Sequence, residues 1–184
     1  MLILLLACSF TNSLAASTLT IDIRGIDGVL LENVNHYLSI VIHKDDKDLS
    51  KAKIKQFYSK VDSEISNAIK PFGYYHAVIK KELIQISDDN WSFLTTIDKG
   101  QPLLIKSIDI QVSDSLKSDP EFSDLLANIP LTIDQPLVHS QYESVKSKLI
   151  NLAADRGYFK AVFTKNSIEV DLRNNSAHIY IHFD

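Results

Sequence analysis

The sequence predicts an α+β protein built from two copies of one βααββ module, each a three-stranded mixed sheet covered on one face by two helices. A long amphipathic helix that ends in glycine and two aromatic residues occurs twice, at Gly73-Tyr74-Tyr75 and at Gly157-Tyr158-Phe159. The two glycines lie 84 residues apart (157 − 73). Each ending stands in the same order of elements: one alternating strand, two helices and two further strands. A fixed period with matched context indicates a repeated module.

Composition narrows the class of protein. The chain has 184 residues and a net charge of −4, and its Lys and Arg residues are scattered. This charge argues against a nucleic-acid-binding surface, which needs a basic face. The one cysteine, Cys8, lies in the predicted leader. The mature chain is therefore expected to contain neither a disulfide nor a thiolate metal site.

Residues 1–16 are predicted to be a secretory signal peptide. An apolar run, Leu2 to Ala7, precedes the small residues Ser13-Leu14-Ala15-Ala16, which suit a signal peptidase. Leu5-Leu6-Ala7-Cys8 also allows a lipoprotein signal with Cys8 as the lipidated residue. Both interpretations imply export. The two modules are then predicted at residues 17–102 and 103–184.

The first module follows from periodicity. Leu19, Ile21 and Ile23 alternate with polar residues, as in a half-buried strand. Apolar residues from Leu30 to Val41 recur at helical spacing. Ser50 can cap the second helix, whose apolar stripe is wide enough to cover a sheet. That stripe comprises Ile54, Phe57, Tyr58, Val61, Ile65, Ala68, Ile69 and Phe72. Two strands, His76 to Ile86 and Trp91 to Ile97, are predicted around the turn at 87–90.

The second module repeats this order. Ile108, Ile110 and Val112 form the alternating strand, and a short helix is predicted from Pro120 to Asn128. A connecting loop covers 129–136, and the long helix begins at His139. The last two strands are predicted at Ala161 to Val170 and at Ala177 to Phe183, joined by the turn 173–176.

The Gly-aromatic motif allows two interpretations. Gly73 suits the left-handed conformation that closes a helix, and the following aromatic rings can anchor the core. Alternatively, Tyr74 and Tyr75 offer a docking spot for a partner. The same two interpretations hold for Gly157, Tyr158 and Phe159.

No pattern of residues supports catalysis. No nucleophile elbow and no Gly-rich phosphate loop can be read in the sequence. His43 with Asp45 and Asp46, and His178 with His182, could contribute metal ligands. A solvated loop explains the first group, and the second has no identifiable third ligand. The sequence therefore predicts neither an enzyme nor a cofactor or metal site.

In its motifs and their order, the chain resembles the POTRA (polypeptide-transport-associated) domains of the Omp85 superfamily, over essentially the whole mature chain as two POTRA repeats. The residues that carry the resemblance are Ile21–Gly25, Gly73–Tyr75, Gly100–Ile105, Gln141–Glu143, Leu152–Phe159 and Phe163–Lys165. The resemblance implies the periplasmic part of a factor for outer-membrane protein assembly and autotransporter secretion. In that family a third POTRA repeat and a carboxy-terminal β-barrel follow, and the barrel provides the tether to the outer membrane. This chain does not contain the barrel.

The resemblance also implies two kinds of partner, namely unfolded outer-membrane client polypeptides and an inner-membrane-anchored protein that spans the periplasm. An edge strand can bind an extended polypeptide through its backbone. The edge predicted here is the strand His76 to Ile86. Its candidate binding residues are His76, Val78, Lys80, Glu82 and Ile84. The charged run Lys80-Lys81-Glu82 is expected to discourage indiscriminate pairing.

A different class of function stays open, that of a free-standing periplasmic adaptor or a spacer. The short junction from Gly100 to Leu103 leaves little room for independent motion of the modules, which favours a spacer. Asp184 corresponds to Asp98 of the first module, after which the chain continues into the next repeat. We therefore expect that the sequence stops at a module boundary within a longer protein.

Overall fold

The computed structural model describes residues 17–184, so the predicted signal peptide and Cys8 lie outside the described residues. Within that range the chain forms six strands, six helices and one short 3₁₀ turn at Lys70–Phe72. The elements in chain order are β1 (Thr18–Arg24), α1 (Gly28–Tyr37), α2 (Ser39–Ile42), α3 (Lys51–Ile69), β2 (Val78–Ser87), β3 (Asn90–Asp98), β4 (Leu104–Val112), α4 (Asp114–Lys117), α5 (Pro120–Ala127), α6 (His139–Asp155), β5 (Phe163–Asp171) and β6 (Ser176–Phe183).

The strands form two three-stranded mixed sheets with the same topology. The first sheet has the order β1-β3-β2, and the second has the order β4-β6-β5. In each sheet the last strand lies in the centre, parallel to the first strand and antiparallel to the second. We call β1–β3 with α1–α3 the first unit, and β4–β6 with α4–α6 the second unit. This architecture confirms the predicted α+β fold of two βααββ modules.

Helix α3 covers the first sheet. Ser50 accepts a hydrogen bond from the Lys53 amide, as its predicted capping role requires. The apolar stripe of α3 packs on the inner face of β3, where Trp91, Phe93 and Ile97 are buried. Burial of this alternating face is the main stabilising contribution in the first unit.

The second core repeats the arrangement under α6. Val145 and Leu149 on the helix and Ile179 and Ile181 on β6 are fully buried. Asp119 caps α5 by accepting from the Glu121 amide and pairs with Arg156 at the end of α6, with an Nε–Oδ2 distance of 2.7 Å. This pair joins the start of α5 to the end of α6.

Several element boundaries differ from the predicted ones. The first helical stretch is broken at Leu38, whose extended conformation separates α1 from α2. A short helix, α4, was not predicted. Strand β4 begins at Leu104, ahead of the predicted alternating residues Ile108 to Val112, because Ile105 is buried in the second core. These differences add short elements and leave the topology unchanged.

Candidate functional site

Strand β2 is a free edge of the first sheet, since it pairs only with β3 among the described residues. The side chains of Val78, Lys80, Glu82 and Ile84 are all exposed, and they alternate with the partly buried Ile79, Lys81 and Leu83. Val78 is 56% exposed, Ile84 45% and Ile86 62%. The edge therefore combines exposed apolar side chains with a central charged pair.

Hydrogen bonding shows which backbone groups of β2 face its open side. The Thr95 hydroxyl on β3 donates to the Lys80 carbonyl over 3.1 Å, so this carbonyl points towards β3. Successive backbone groups of a strand point to opposite sides. The amides and carbonyls of Ile79, Lys81 and Leu83 therefore face away from β3, towards an incoming strand.

Helix α3 already occupies one of these outward groups. The Tyr58 hydroxyl donates to the Lys81 carbonyl over 3.2 Å, and the Lys81 ammonium lies 4.6 Å from the centre of the Tyr58 ring. The same ammonium pairs with Asp62 over 2.7 Å. Tyr58 therefore occupies the outward carbonyl of Lys81. The outward amide of Lys81 has no partner on β3. Sequence reasoning placed Tyr58 in the core stripe and missed this contact with the edge.

The prediction that His76 belongs to the edge strand is wrong. Strand β2 begins at Val78, and the His76 imidazole instead donates to the Leu172 carbonyl in the second unit over 3.1 Å. The reason is the left-handed turn at Gly73, which directs the next residues towards the second unit before the strand begins. His76 therefore lies at the contact between the units.

The first Gly-aromatic motif lies at this contact. Gly73 has φ +86°, and a Cβ atom there would lie 2.7 Å from the Leu137 carbonyl oxygen. Tyr74 packs against the first core, whereas Tyr75 packs against the second core. One three-residue segment therefore closes a helix, anchors its own unit and contacts the next.

Polar contacts reinforce the junction. The Tyr75 hydroxyl and His139 Nε2 form a hydrogen bond of 3.0 Å, and the Leu103 amide donates to the Gly73 carbonyl over 2.9 Å. Asn175 donates from its side chain to the Pro102 carbonyl over 2.8 Å. Burial raises the pKa of Tyr75, and burial also lowers the pKa of His139, against the opposing charge of Glu143. Both groups are therefore favoured in their neutral forms.

The second Gly-aromatic motif has a different environment. Gly157 has φ +84°, and a Cβ atom there would meet nothing within 4 Å. Tyr158 packs edge-on against Phe122 in the second core, with ring centres 5.9 Å apart. Phe159 is 85% exposed.

The other edge of the first sheet, β1, also lacks a second neighbour among residues 17–184. A cleft of 340 Å³ lies between this strand and the first two helices. Ile21, Ile23, Leu31 and Val41 supply its apolar lining. Sequence reasoning missed this cleft, because the apolar face of β1 was assigned wholly to the core.

The histidines considered as metal ligands have protein partners. His182 donates to Asp109 over 2.9 Å, and His178 bonds to the Ser107 hydroxyl over 2.8 Å. His43 contacts Asp46 over 3.0 Å and stacks on Phe57. Over residues 17–184 no three His, Cys, Asp or Glu side chains are grouped to hold a metal ion. In the same range no helix combines the length and apolarity needed to cross a membrane.

A three-stranded sheet of order β1-β3-β2, covered by helices and repeated in tandem, defines this chain as a protein of the POTRA fold class. Residues 20–99 match the family model described as POTRA domain TamA domain 1. The match covers the first unit, which is therefore similar to the first POTRA domain of TamA. POTRA domains of the Omp85 superfamily are non-enzymatic, and they are periplasmic in such proteins.

Solved structures with similar folds include POTRA domains 3–5 of Haemophilus influenzae BamA, at 18% identity and a TM-score of 0.48 over 92% of this chain and 66% of that chain. POTRA domains 1–2 of the periplasmic domain of Omp85 from Anabaena match at 13% identity and a TM-score of 0.35, over 91% of this chain and 94% of that one. A BamA structure from Haemophilus ducreyi lacking POTRA domains 1–3 matches at 15% identity and a TM-score of 0.45, over 92% of this chain. The chain spans 29% of that structure's length.

Proposed function

We propose that the two units, at 17–102 and 103–184, form the periplasmic POTRA region of an outer-membrane protein assembly factor that acts in autotransporter secretion. The region binds extended partner or client polypeptides by strand pairing at the free edge of β2. The observation that carries the proposal is the row of outward-facing backbone groups at Ile79, Lys81 and Leu83. Exposed Val78 and Ile84 stand beside them and offer apolar contact to an added strand.

Recognition through backbone groups suits clients of varied sequence. Hydrogen bonds to amides and carbonyls supply affinity without demanding particular side chains. Each bond contributes about 0.5–1.5 kcal/mol net, so a few bonds give a weak, reversible complex. A factor that passes many clients onward requires such transient binding.

The proposed setting is supported by the match of residues 20–99 to the TamA POTRA family model. The region lies in the periplasm and is tethered to the bacterial outer membrane through a barrel outside this chain. Its proposed partners are a TamB-like protein, anchored in the inner membrane and spanning the periplasm, and unfolded outer-membrane polypeptides.

The substitution Lys81→Pro tests whether the free edge of β2 binds polypeptides by strand pairing. Proline removes the outward amide of Lys81 while the β2–β3 ladder stays intact, because edge strands tolerate proline where the amide faces solvent. The control, Lys81→Ala, loses the same contacts with Asp62 and Tyr58 but keeps the amide. We expect Lys81→Pro to reduce crosslinking of the full-length protein to an unfolded barrel precursor by about tenfold. Lys81→Ala is expected to stay near the wild-type level.

Equal crosslinking by the two variants, with both folded by circular dichroism, would contradict strand pairing at β2. Proline at Val78 or Ile84 is a poorer test. The amides at these even-numbered positions face β3, as the Lys80 carbonyl does, so proline there would break the sheet itself.

A second candidate function is that of a spacer or free-standing adaptor. The contacts of Gly73, Tyr75 and His76 with the second unit favour it, since they restrain the two units over several points. Small-angle scattering tests this role. A narrow distribution of interatomic distances in the unaltered protein that Tyr75→Ala broadens supports a spacer. A distribution in the unaltered protein that is as broad as that of Tyr75→Ala excludes one.

A further inference from the structure

We propose that β2 pairs edge to edge with β2 of a second copy of this chain, in an antiparallel arrangement centred on Lys81. The pairing goes beyond client binding and does not rest on it, although both use the same backbone groups. It is indicated by the order of exposed side chains along β2, namely Val78, Lys80, Glu82 and Ile84. From either end this row is apolar, charged, charged and apolar, and its two charges have opposite signs. The row is therefore complementary to its own reverse.

A two-fold axis through Lys81 brings these complementary side chains together. In an antiparallel pair centred there, Lys80 lies opposite Glu82 of the second copy, and Val78 lies opposite Ile84 of the second copy. By symmetry each of these contacts forms twice. Opposite charges that face each other across two strands stabilise the pairing, and like charges destabilise it. Val78 and Ile84 are 56% and 45% exposed, so their contact buries apolar surface that is open in the single chain.

The backbone of β2 fits the same register. Its outward amides and carbonyls belong to Ile79, Lys81 and Leu83, because the Lys80 carbonyl points towards β3. In the antiparallel pair Lys81 faces Lys81 of the second copy, and the two residues can exchange both of their backbone hydrogen bonds. Ile79 likewise faces Leu83 of the second copy. The register that matches the side chains therefore also pairs the outward backbone groups at all three positions.

Other alignments of two β2 edges bring like charges together. Parallel strands in register place every residue opposite its own copy. Antiparallel strands centred on Lys80 place two lysines opposite each other, and those centred on Glu82 place two glutamates opposite each other. Like charges directly opposite are unfavourable. The charged centre of the edge therefore favours the alignment centred on Lys81 over these alternatives.

The charge of Lys81 does not oppose the pairing. Its side chain is 18% exposed, and its ammonium pairs with Asp62 over 2.7 Å and donates to the Tyr58 carbonyl over 3.1 Å. The ammonium therefore lies against α3 of its own unit and away from the second copy. The Tyr58 hydroxyl already donates to the Lys81 carbonyl, which keeps one lone pair for an added strand. Because this carbonyl is shared, we expect the pairing to be reversible.

Disulfide crosslinking between two differently tagged forms of the full-length protein, produced together in the cell envelope, tests the register. One form carries Val78→Cys and the other carries Ile84→Cys. These positions face each other in a non-hydrogen-bonded pair, where Cα atoms lie about 4.5 Å apart, within the range that a disulfide spans. We expect a crosslink between the two forms. When both forms carry Val78→Cys, the two cysteines lie about 20 Å apart in this register, so this control should give little crosslink.

Charge reversal in the 78–84 cysteine pair adds a test by rescue. Lys80→Glu in both forms, or Glu82→Lys in both forms, makes like charges meet twice. We expect each change to lower the yield of crosslink by about tenfold. Lys80→Glu in one form combined with Glu82→Lys in the other makes opposite charges meet at both contacts again. This combination should return the yield to the level of the unreversed pair, which also shows that both variants are folded.

Several results would overturn the proposal. They are the absence of a crosslink between positions 78 and 84, an equal yield when both forms carry Val78→Cys, and charge reversals that leave the yield unchanged or do not rescue each other. Client binding fails or holds separately. Equal client capture by Lys81→Pro and Lys81→Ala would contradict client pairing at β2 and leave the crosslink between the two copies in place.

Discussion

The Tyr75 hydroxyl lies 3.0 Å from His139 Nε2 and joins the end of the first unit to the start of the long helix of the second. Tyr75 belongs to the first unit by sequence and to the second core by packing. The next residue in the chain, His76, also contacts the second unit. The junction is therefore made largely by the residues that follow one helix end, in addition to the short linker.

Removing the hydroxyl should weaken this junction. Tyr75→Phe keeps the ring and is expected to lower the free energy of unfolding by about 1 kcal/mol, the net contribution of one partly buried hydrogen bond. Urea denaturation measures the change. Tyr74→Phe removes the hydroxyl of the neighbouring tyrosine, which packs in the first core, and serves as the matched control. An equal effect of both substitutions would argue against a specific bond to His139.

Alanine substitutions at the two motif glycines distinguish the free-energy cost of a positive φ from the cost of a steric contact. Gly73 and Gly157 both have positive φ, which costs a side chain about 1–2 kcal/mol. At Gly73 the added Cβ also meets the Leu137 carbonyl oxygen at 2.7 Å. We expect Gly73→Ala to be more destabilising than Gly157→Ala by at least about 1 kcal/mol. If the two variants lost the same stability in thermal unfolding, the backbone at the junction would accommodate the added Cβ atom at position 73 without an energetic penalty.

Acid should destabilise the junction through His139. Burial lowers the pKa of His139 in the folded chain below its ordinary value, 6.5, so the unfolded chain takes up the proton more readily. The stabilising contribution of the neutral imidazole is complete above that value and is lost as the pH falls below it. Tyr75 and Glu143 face this imidazole, and the negative charge of Glu143 opposes the shift.

The measurement is the melting temperature between pH 7.5 and 5.5. We expect a decline on acidification that His139→Gln reduces. His182→Gln is the control, since His182 bonds to Asp109 on the outer face of the second sheet, away from the junction. An unchanged slope in His139→Gln would show that other groups govern the acid response.

Tyr58 should restrain pairing at β2, because its hydroxyl occupies the outward carbonyl of Lys81. Tyr58→Phe frees that carbonyl while keeping the ring under the Lys81 ammonium. We expect client crosslinking to rise by about twofold to tenfold, the equivalent of one hydrogen bond, with a loss of stability of about 1 kcal/mol. Unchanged or weaker capture by the folded variant would show that this carbonyl takes no part in binding.

The sequence predicted the order of helices and strands because burial in this fold follows regular periods. Trp91, Phe93 and Ile97 alternate along the central strand, and the stripe of α3 repeats at helical spacing, so both faces of the first core can be read directly. Because the sequence repeats after 84 residues, the same strand and helix assignments apply to the second unit. Short elements such as α4 escape this reasoning, because four residues do not complete a recognisable period.

The surroundings of the candidate site could not be predicted in the same way. His76 was assigned to the strand from its place in the sequence, whereas its partner, Leu172, lies 96 positions further along the chain. The contact of Tyr58 with the Lys81 carbonyl depends on how α3 lies across the sheet, which hydrophobic periodicity does not specify. The binding role of Val78, Lys80, Glu82 and Ile84 remains a prediction.

Amide hydrogen exchange, followed by NMR, tests strand pairing at β2 most directly. The probe is a synthetic peptide of about ten residues with alternating apolar and polar side chains, the length of one barrel strand. We predict that the peptide protects the outward amides of Ile79, Lys81 and Leu83, whereas the Lys80 amide, already facing β3, changes little. Protection along β1 beside its cleft, or no protection at β2, would contradict the proposed mode of binding.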